Sequence, residues 1–144
     1  MDKAFELHSR LAADTVALTQ WPLCEVRLMN DAQYPWVLLI PRRSDIREIY
    51  QLNETDQQQL WRESAVLGQW LMEEFKGDKL NVAALGNQVP QLHLHHIVRY
   101  EGDACWPAPV WGQRPNQPYS SEGLHNLQER LAPLGDAFSG GFEL

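Results

Sequence analysis

Five apolar residues in succession, Trp36-Val37-Leu38-Leu39-Ile40, stand between Pro35 and Pro41. No longer apolar run occurs in the 144 residues, and a membrane-spanning helix needs about twenty. A short apolar run closed by proline at each end reads as a β-strand. The preceding run, Cys24 to Leu28, alternates, with Cys24, Val26 and Leu28 set against Glu25 and Arg27. Between the two lies Asn30-Asp31-Ala32-Gln33-Tyr34-Pro35, rich in turn formers. A hairpin is predicted.

The segments around this hairpin complete the outline. From Lys3 to about Leu18, Phe5, Leu7, Leu11, Val16 and Leu18 recur at a loosely helical spacing. Thr19-Gln20-Trp21-Pro22 ends that helix, because the residue before a proline is pushed out of the α region. The clearest helix begins near Thr55, where Thr55 and Gln58 fit a capping box. Leu60, Leu67 and Leu71, flanked by Trp61, Trp70 and Phe75, give it a wide apolar face as far as Gly77. Leu80 to Leu85 and Gln91 to Val98 form a second strand pair. Trp106-Pro107-Ala108-Pro109-Val110-Trp111-Gly112 suits neither a helix interior nor a central strand. A short helix from about Ser120 to Leu134 follows, ending near Gly135, and the Gly-rich tail is expected to fray. No repeat, low-complexity tract or linker divides the chain, so residues 1–144 read as one domain. The element order gives an α+β class around a mostly antiparallel sheet. Parallel pairing across the long helix stays open.

Composition narrows the partners. An apolar fraction of 44%, with six Trp, four Tyr and four Phe, is that of a folded chain. Twelve basic against nineteen acidic side chains leave a net charge of −7. That sign argues against sequence-independent binding to DNA or RNA, but a local field still permits a small anionic ligand. The N-terminal residues are acidic and mixed, unlike a signal peptide. Cys24 and Cys105 form no Cys-x-x-Cys pair, so they read as reduced thiols of a cytoplasmic protein.

Three of the five histidines, His93, His95 and His96, fall within four residues. On a strand Gln91, His93, His95 and Ile97 share one side, while Leu92, Leu94, His96 and Val98 share the core side. Three readings meet at that polar row. It could be a polar sheet face, or it could supply two of the four ligands zinc takes. No Cys pair, His-x-x-x-His or nearby acidic residue completes a metal set, however. In the third reading a neutral imidazole attacks phosphorus while a second histidine stabilises or protonates the leaving oxygen. Gly86-Asn87-Gln88-Val89-Pro90, directly upstream, favours this one. Its amides and backbone N–H groups can hold phosphate oxygens without a metal.

The stretch from Gly86 through His93-Leu94-His95-His96-Ile97-Val98 to Arg99 resembles the signature of the histidine triad (HIT) superfamily. That signature is Gly-Gln-x-Val followed by His-x-His-x-His with apolar residues between. Leu28-Met29-Asn30-Asp31 and Val37-Leu38-Leu39-Ile40-Pro41-Arg42 resemble the family's ribose-binding strand and its apolar strand. The resemblance covers roughly Cys24 to Arg99. The whole chain is most similar to a bacterial, diadenosine-tetraphosphate-hydrolase-like branch.

The resemblance implies a five-stranded antiparallel sheet with packed helices, in a homodimer. It also implies attack by the middle histidine on the α-phosphorus of a nucleotide, then hydrolysis of a nucleotidyl-histidine. The middle position falls on His93 and the third on His95. Asn87 and Gln88 fall on the phosphate-contacting positions and Asn30 on the ribose position, with Asp31 and Asn81 as further nucleotide contacts. Two positions depart from the pattern: Gln91 stands at the first triad histidine, and Pro35-Trp36 replaces a glycine-histidine pair. Gln91 can hydrogen-bond there but cannot carry a proton at neutral pH.

The expectation is thus a metal-independent nucleotide hydrolase or nucleotidyl transferase without a cofactor, acting on a dinucleoside polyphosphate or an AMP-type substrate. The alternative is a nucleotide-binding adaptor with weak or lost catalysis. Arg42 and Arg43 read as a solvated corner, Arg99 as a strand-end anchor, and His8 and His125 as surface groups on helices. His96 lies off the catalytic side, and Trp106 and Trp111 read as core filling or as packing across a dimer or near a base pocket.

Overall fold

The structure, a computed structural model, describes residues 4–138. Five strands, β1 (Thr15–Gln20), β2 (Cys24–Met29), β3 (Trp36–Pro41), β4 (Lys79–Ala83) and β5 (Leu94–Arg99), form one sheet in the order β1-β2-β3-β5-β4. Every neighbouring pair is antiparallel. Three helices accompany it: α1 (Ser9–Asp14), α2 (Glu54–Phe75) and α3 (Ser121–Leu131). This is the α+β arrangement the resemblance implies. The chain crosses from β3 through α2 to the edge strand β4, then returns along β5 between the two. β3 and β4 therefore run in the same direction without touching, and the parallel pairing left open does not form.

The continuous apolar character of β3 follows from its position, because both of its faces are covered. Val37 and Leu39 join Leu60, Leu67 and Leu71 of α2 in one core. Trp36, Leu38 and Ile40 join Leu11 of α1, Tyr34, Ile97 and Val110 in a second core on the opposite face. β5 follows the same division. His96 turns toward α2, where its Nε2 lies 2.7 Å from Ser64 Oγ, while His95 and Ile97 face the second core side.

Several boundaries differ from expectation, among them β4, which ends at Ala83 instead of Leu85, and α3, which gives way after Leu131 to a 3₁₀ turn over Ala132–Asp136. The N-terminal helix is only Ser9–Asp14, and from Thr15 the chain becomes β1. The loosely spaced Val16 and Leu18 are strand residues paired against β2, with a shift of register between Ala17 and Thr19. α2 starts a residue or two earlier than the Thr55 capping box implies, since Asn53 Oδ1 accepts from Asp56 N at 2.8 Å. β5 begins at Leu94 instead of Gln91, because residues 91–93 leave β3 and Leu92 N donates to Ile46 O at 2.9 Å. At the other end, Phe138 packs its ring 4.8 Å from that of Trp21. The remainder of the tail expected to fray lies outside the described residues.

Candidate active site

The departure of residues 91–93 from the ladder sets His93 at the mouth of the sheet. Its Nδ1 lies 2.7 Å from Gln91 O. A carbonyl only accepts, so Nδ1 carries the proton and Nε2 keeps its lone pair. Nε2 has no hydrogen-bond partner among the described residues. Burial lowers the His93 pKa from its ordinary value, the Gln91 carbonyl opposes that, and nearby His8 adds to it. The ring is neutral at physiological pH and its free nitrogen is nucleophilic.

His95 packs edge-on to His93, with ring centroids 4.9 Å apart. Both of its nitrogens are engaged. Trp36 Nε1 donates to Nδ1 at 3.0 Å, and Nε2 lies 2.9 Å from Leu85 O. An indole N–H can only donate, so Nδ1 is bare and Nε2–H donates to the Leu85 carbonyl. Burial pushes the His95 pKa down to about 4, against the Leu85 carbonyl and with the help of His93. Trp111 closes the side of this ring, 5.1 Å away and nearly perpendicular.

The turn Gly86-Asn87-Gln88 and the two imidazoles line a cavity of about 370 Å³, with Trp111 and Asp14 completing its wall. Gly86 is required by the close approach. A Cβ there would sit 2.8 Å from Val89 O and 3.1 Å from His93 Cε1. Asp14 also lines an adjoining cavity of about 400 Å³, shared with Arg10, Asn30 and Asn116. On the other side of the turn a third cavity, about 240 Å³, is lined by Arg47, Glu48, Asn87, Gln91 and His93.

The expected site residues divide accordingly. His93, His95, Asn87 and Gln88 come together around one cavity. Asn30 lies next door, its Oδ1 accepting from Tyr119 N at 2.9 Å. Gln91 shares the cavity on the far side of the turn, and its side chain is spent on the N-terminal segment: Oε1 accepts from His8 N at 2.9 Å, and Nε2 donates to Glu6 O at 2.8 Å. Asn81 is not brought to the histidines, and its Oδ1 accepts from Arg99 Nη1 at 2.9 Å. Buried Asp31 accepts from the backbone and amide of Gln33 within its own turn.

Other polar groups are structural. Arg99 forms a buried two-pronged pair with Asp103, at 2.7 and 3.0 Å, and also donates to Ala108 O. Arg43 pairs with Asp56 on α2, and Arg42 donates to Pro22 O. His8 is not a helix surface residue but the N-cap of α1, its Nδ1 accepting from Arg10 N. Exposed His125 meets Glu129 on α3. Among the described residues no three His, Cys, Asp or Glu side chains gather as a metal site would require.

Sequence reasoning assigned no role to Asp14, Trp36 or Leu85 in the site, and only a provisional one to Trp111. Trp36 and Asp14 come from β3 and α1, far from the histidines in sequence, while Leu85 and Trp111 lie in the loops before and after β5. The one available signal was Trp36 itself, a replacement for a family histidine whose partner becomes visible only once Leu38 pairs with His95 across β3 and β5.

The HIT domain matches residues 10–102. A histidine triad protein of known structure from Marinobacter aquaeolei VT8 is 55% identical, over 95% of this chain and 100% of that one, with a TM-score of 0.93. A histidine triad protein from Bradyrhizobium japonicum is 47% identical over 90% of this chain and 96% of its own, TM-score 0.87. A third, from Sinorhizobium meliloti 1021, is 40% identical over 88% of this chain and 94% of its own, TM-score 0.86. No curated protein matches. The domain match covers more than half of the sequence and the likeness in structure extends over nearly all of it, and the chain belongs to the histidine triad (HIT) family.

Proposed function

We propose that this protein is a nucleotide hydrolase or nucleotidyl transferase working through a nucleotidyl-histidine on His93. HIT membership goes with nucleotide binding and hydrolase or transferase chemistry in general. The observation that carries the finer reading is the state of His93. Its proton is fixed on Nδ1 by Gln91 O, and its free Nε2 stands beside the turn of Gly86, Asn87 and Gln88. His93 Nε2 attacks the α-phosphorus, and the turn holds the non-bridging oxygens. His95 is the neutral neighbour, Asn30 takes the ribose from the adjoining cavity, and water releases the nucleotide. The substrate is a dinucleoside polyphosphate or another AMP-type nucleotide, a reading supported by the second cavity that Asp14 shares with the histidine cavity.

Mass spectrometry of the protein mixed with diadenosine tetraphosphate should find an adenylyl adduct on His93. The His93→Ala variant should lose turnover of a fluorogenic adenylyl ester by about 10³-fold or more, since the covalent route is then closed. Undiminished turnover would end this reading. One observation favours the adaptor alternative: the first triad position is a glutamine whose amide is already tied to the backbone of residues 6 and 8. Tight AMP binding without an adduct would select it. A homodimer, with light scattering as its check, is supported by the open edge at β4, where Val82 is 41% exposed and Leu85 37%. Cytoplasmic placement is supported by two free thiols, Cys24 and Cys105. Among the described residues no helix is long and apolar enough to cross a membrane.

A further inference from the structure

The Trp36 contact restricts what His95 can do. To become an imidazolium, His95 would need a proton on Nδ1, and that proton would point at the indole N–H 3.0 Å away. Two donors would face each other, both buried, where an unsatisfied polar group is most costly. The other nitrogen already gives its proton to Leu85 O. We propose that Trp36 is a positioning residue that holds His95 as the neutral Nε2–H tautomer, and that the site in consequence selects nucleotides whose leaving group departs as an anion, phosphoanhydrides and acyl phosphates, over phosphoramidates.

The selection follows from following the protons, and it rests on the nucleotidyl-His93 reading above. In the first step the Nε2 lone pair of His93 forms the N–P bond. The bond from the α-phosphorus to the leaving group breaks, and its electron pair departs with the leaving atom. The Nδ1 proton stays on the ring against Gln91 O. A polyphosphate or carboxylate oxygen is stable with that pair at neutral pH, and no proton is needed. An amine nitrogen is not, and must be protonated as the P–N bond breaks. In the second step water bonds to phosphorus, the N–P pair returns to Nε2, and the water proton passes to solvent.

None of the groups facing the reacting centre supplies the amine's proton, and Arg47 and Glu48 line only the cavity on the far side of the turn. Trp36 and Gln91 do not titrate. His93 is the nucleophile. Asp14, which lines the cavity, is ion-paired with Arg10 at 3.4 Å. His8 is engaged as the cap of α1, its Nδ1 accepting from Arg10 N. The depressed pKa of His95 points the same way.

Two measurements test this. In ¹⁵N-resolved spectra of the histidine rings, His95 should stay neutral with its proton on Nε2 from about pH 8 to about pH 5, below the ordinary imidazole range. A charged His95, or one protonated on Nδ1, at neutral pH would overturn the lock. In Trp36→Phe the ring should titrate at higher pH, and an unchanged spectrum would equally overturn it. If that variant does not fold, the wild-type spectrum decides alone. For selectivity, kcat/KM is compared for diadenosine tetraphosphate and adenosine 5′-phosphoramidate. Wild type should favour the anhydride by at least about 10²-fold, the low end of what a general acid contributes. Trp36→His, which restores a titratable ring, should raise amidate relative to anhydride turnover about tenfold or more, with an acid-side limb in the pH profile. Equal use of both substrates by wild type, or an unmoved ratio in Trp36→His, would overturn the selectivity. Failure of both substrates, with no adduct, would instead remove the enzymatic reading and the selectivity with it, while the spectra still judge the lock.

Discussion

Gly86 shows how tightly the His93 ring is held. A methyl group at this position would press on the Val89 carbonyl on one side and on the His93 ring on the other. The tighter of the two clashes is with the backbone carbonyl, so the turn itself must give, and the His93 ring packed against it is displaced as well. Misplacement of a reacting group by about 1 Å can cost on the order of 10²-fold in rate. Gly86→Ala is therefore expected to lower kcat/KM for a nucleotide ester by about 10–100-fold and to lower the melting temperature as well, which parallel kinetics and thermal melts would show. A variant with full activity would mean that the ring has room the structure does not show. At this scale the two histidines were legible because strand alternation and the turn ahead of them are local patterns. Trp36, Asp14 and Trp111 were not, since their contacts with the histidines depend on how β3, α1 and the segment after β5 come together in space.

The elements are joined by polar clamps as well as by apolar burial. Glu63, fully buried in the middle of α2, accepts from Leu23 N at 2.8 Å and Cys24 N at 3.0 Å, tying the long helix to the start of β2. Replacing it with leucine would strand both donors where water cannot reach. Glu63→Leu is expected to lower unfolding free energy by about 2–4 kcal/mol, measured by urea titration. A neutral result would show that the two N–H groups find other partners. Nothing in the sequence marks Glu63 as different from the exposed acids around it. The apolar stripe of α2 and the alternation of β2 were readable because each repeats within its own element. The start of α2 was misread because Asn53 and Thr55 are both good capping residues, and only the path of the preceding loop decides between them. β1 was misread because a six-residue strand after a six-residue helix leaves too few turns for either period to stand out.

At the scale of the whole molecule, the sheet carries a core on each face, and the three clustered histidines are built into that double layer. Burial lowers the pKa of His93 from 6.5, and pushes those of His95 and His96 down to about 4. In the unfolded chain the same rings take up protons near pH 6.5. Their contribution to stability is therefore fully present above about pH 6.5 and is lost as the pH falls toward about 4, because the unfolded state binds the protons first. The urea midpoint should drop between about pH 7.5 and pH 5, with roughly 2 kcal/mol lost for each of His95 and His96. A flat profile would mean that these rings protonate in the native state. A second, lower window belongs to Asp103. Burial would raise its carboxyl, but the Arg99 fork and three backbone N–H groups hold it down to about 2, so its share disappears between about pH 4 and pH 2.

The amide of Gln91 grips the backbone of Glu6 and His8, and its own carbonyl orients the His93 ring. Where the family signature has a proton carrier, this chain has a mechanical coupling. Residues 6 and 8 are thereby made part of the support beneath His93, and removing them would be felt at that ring rather than only at the periphery.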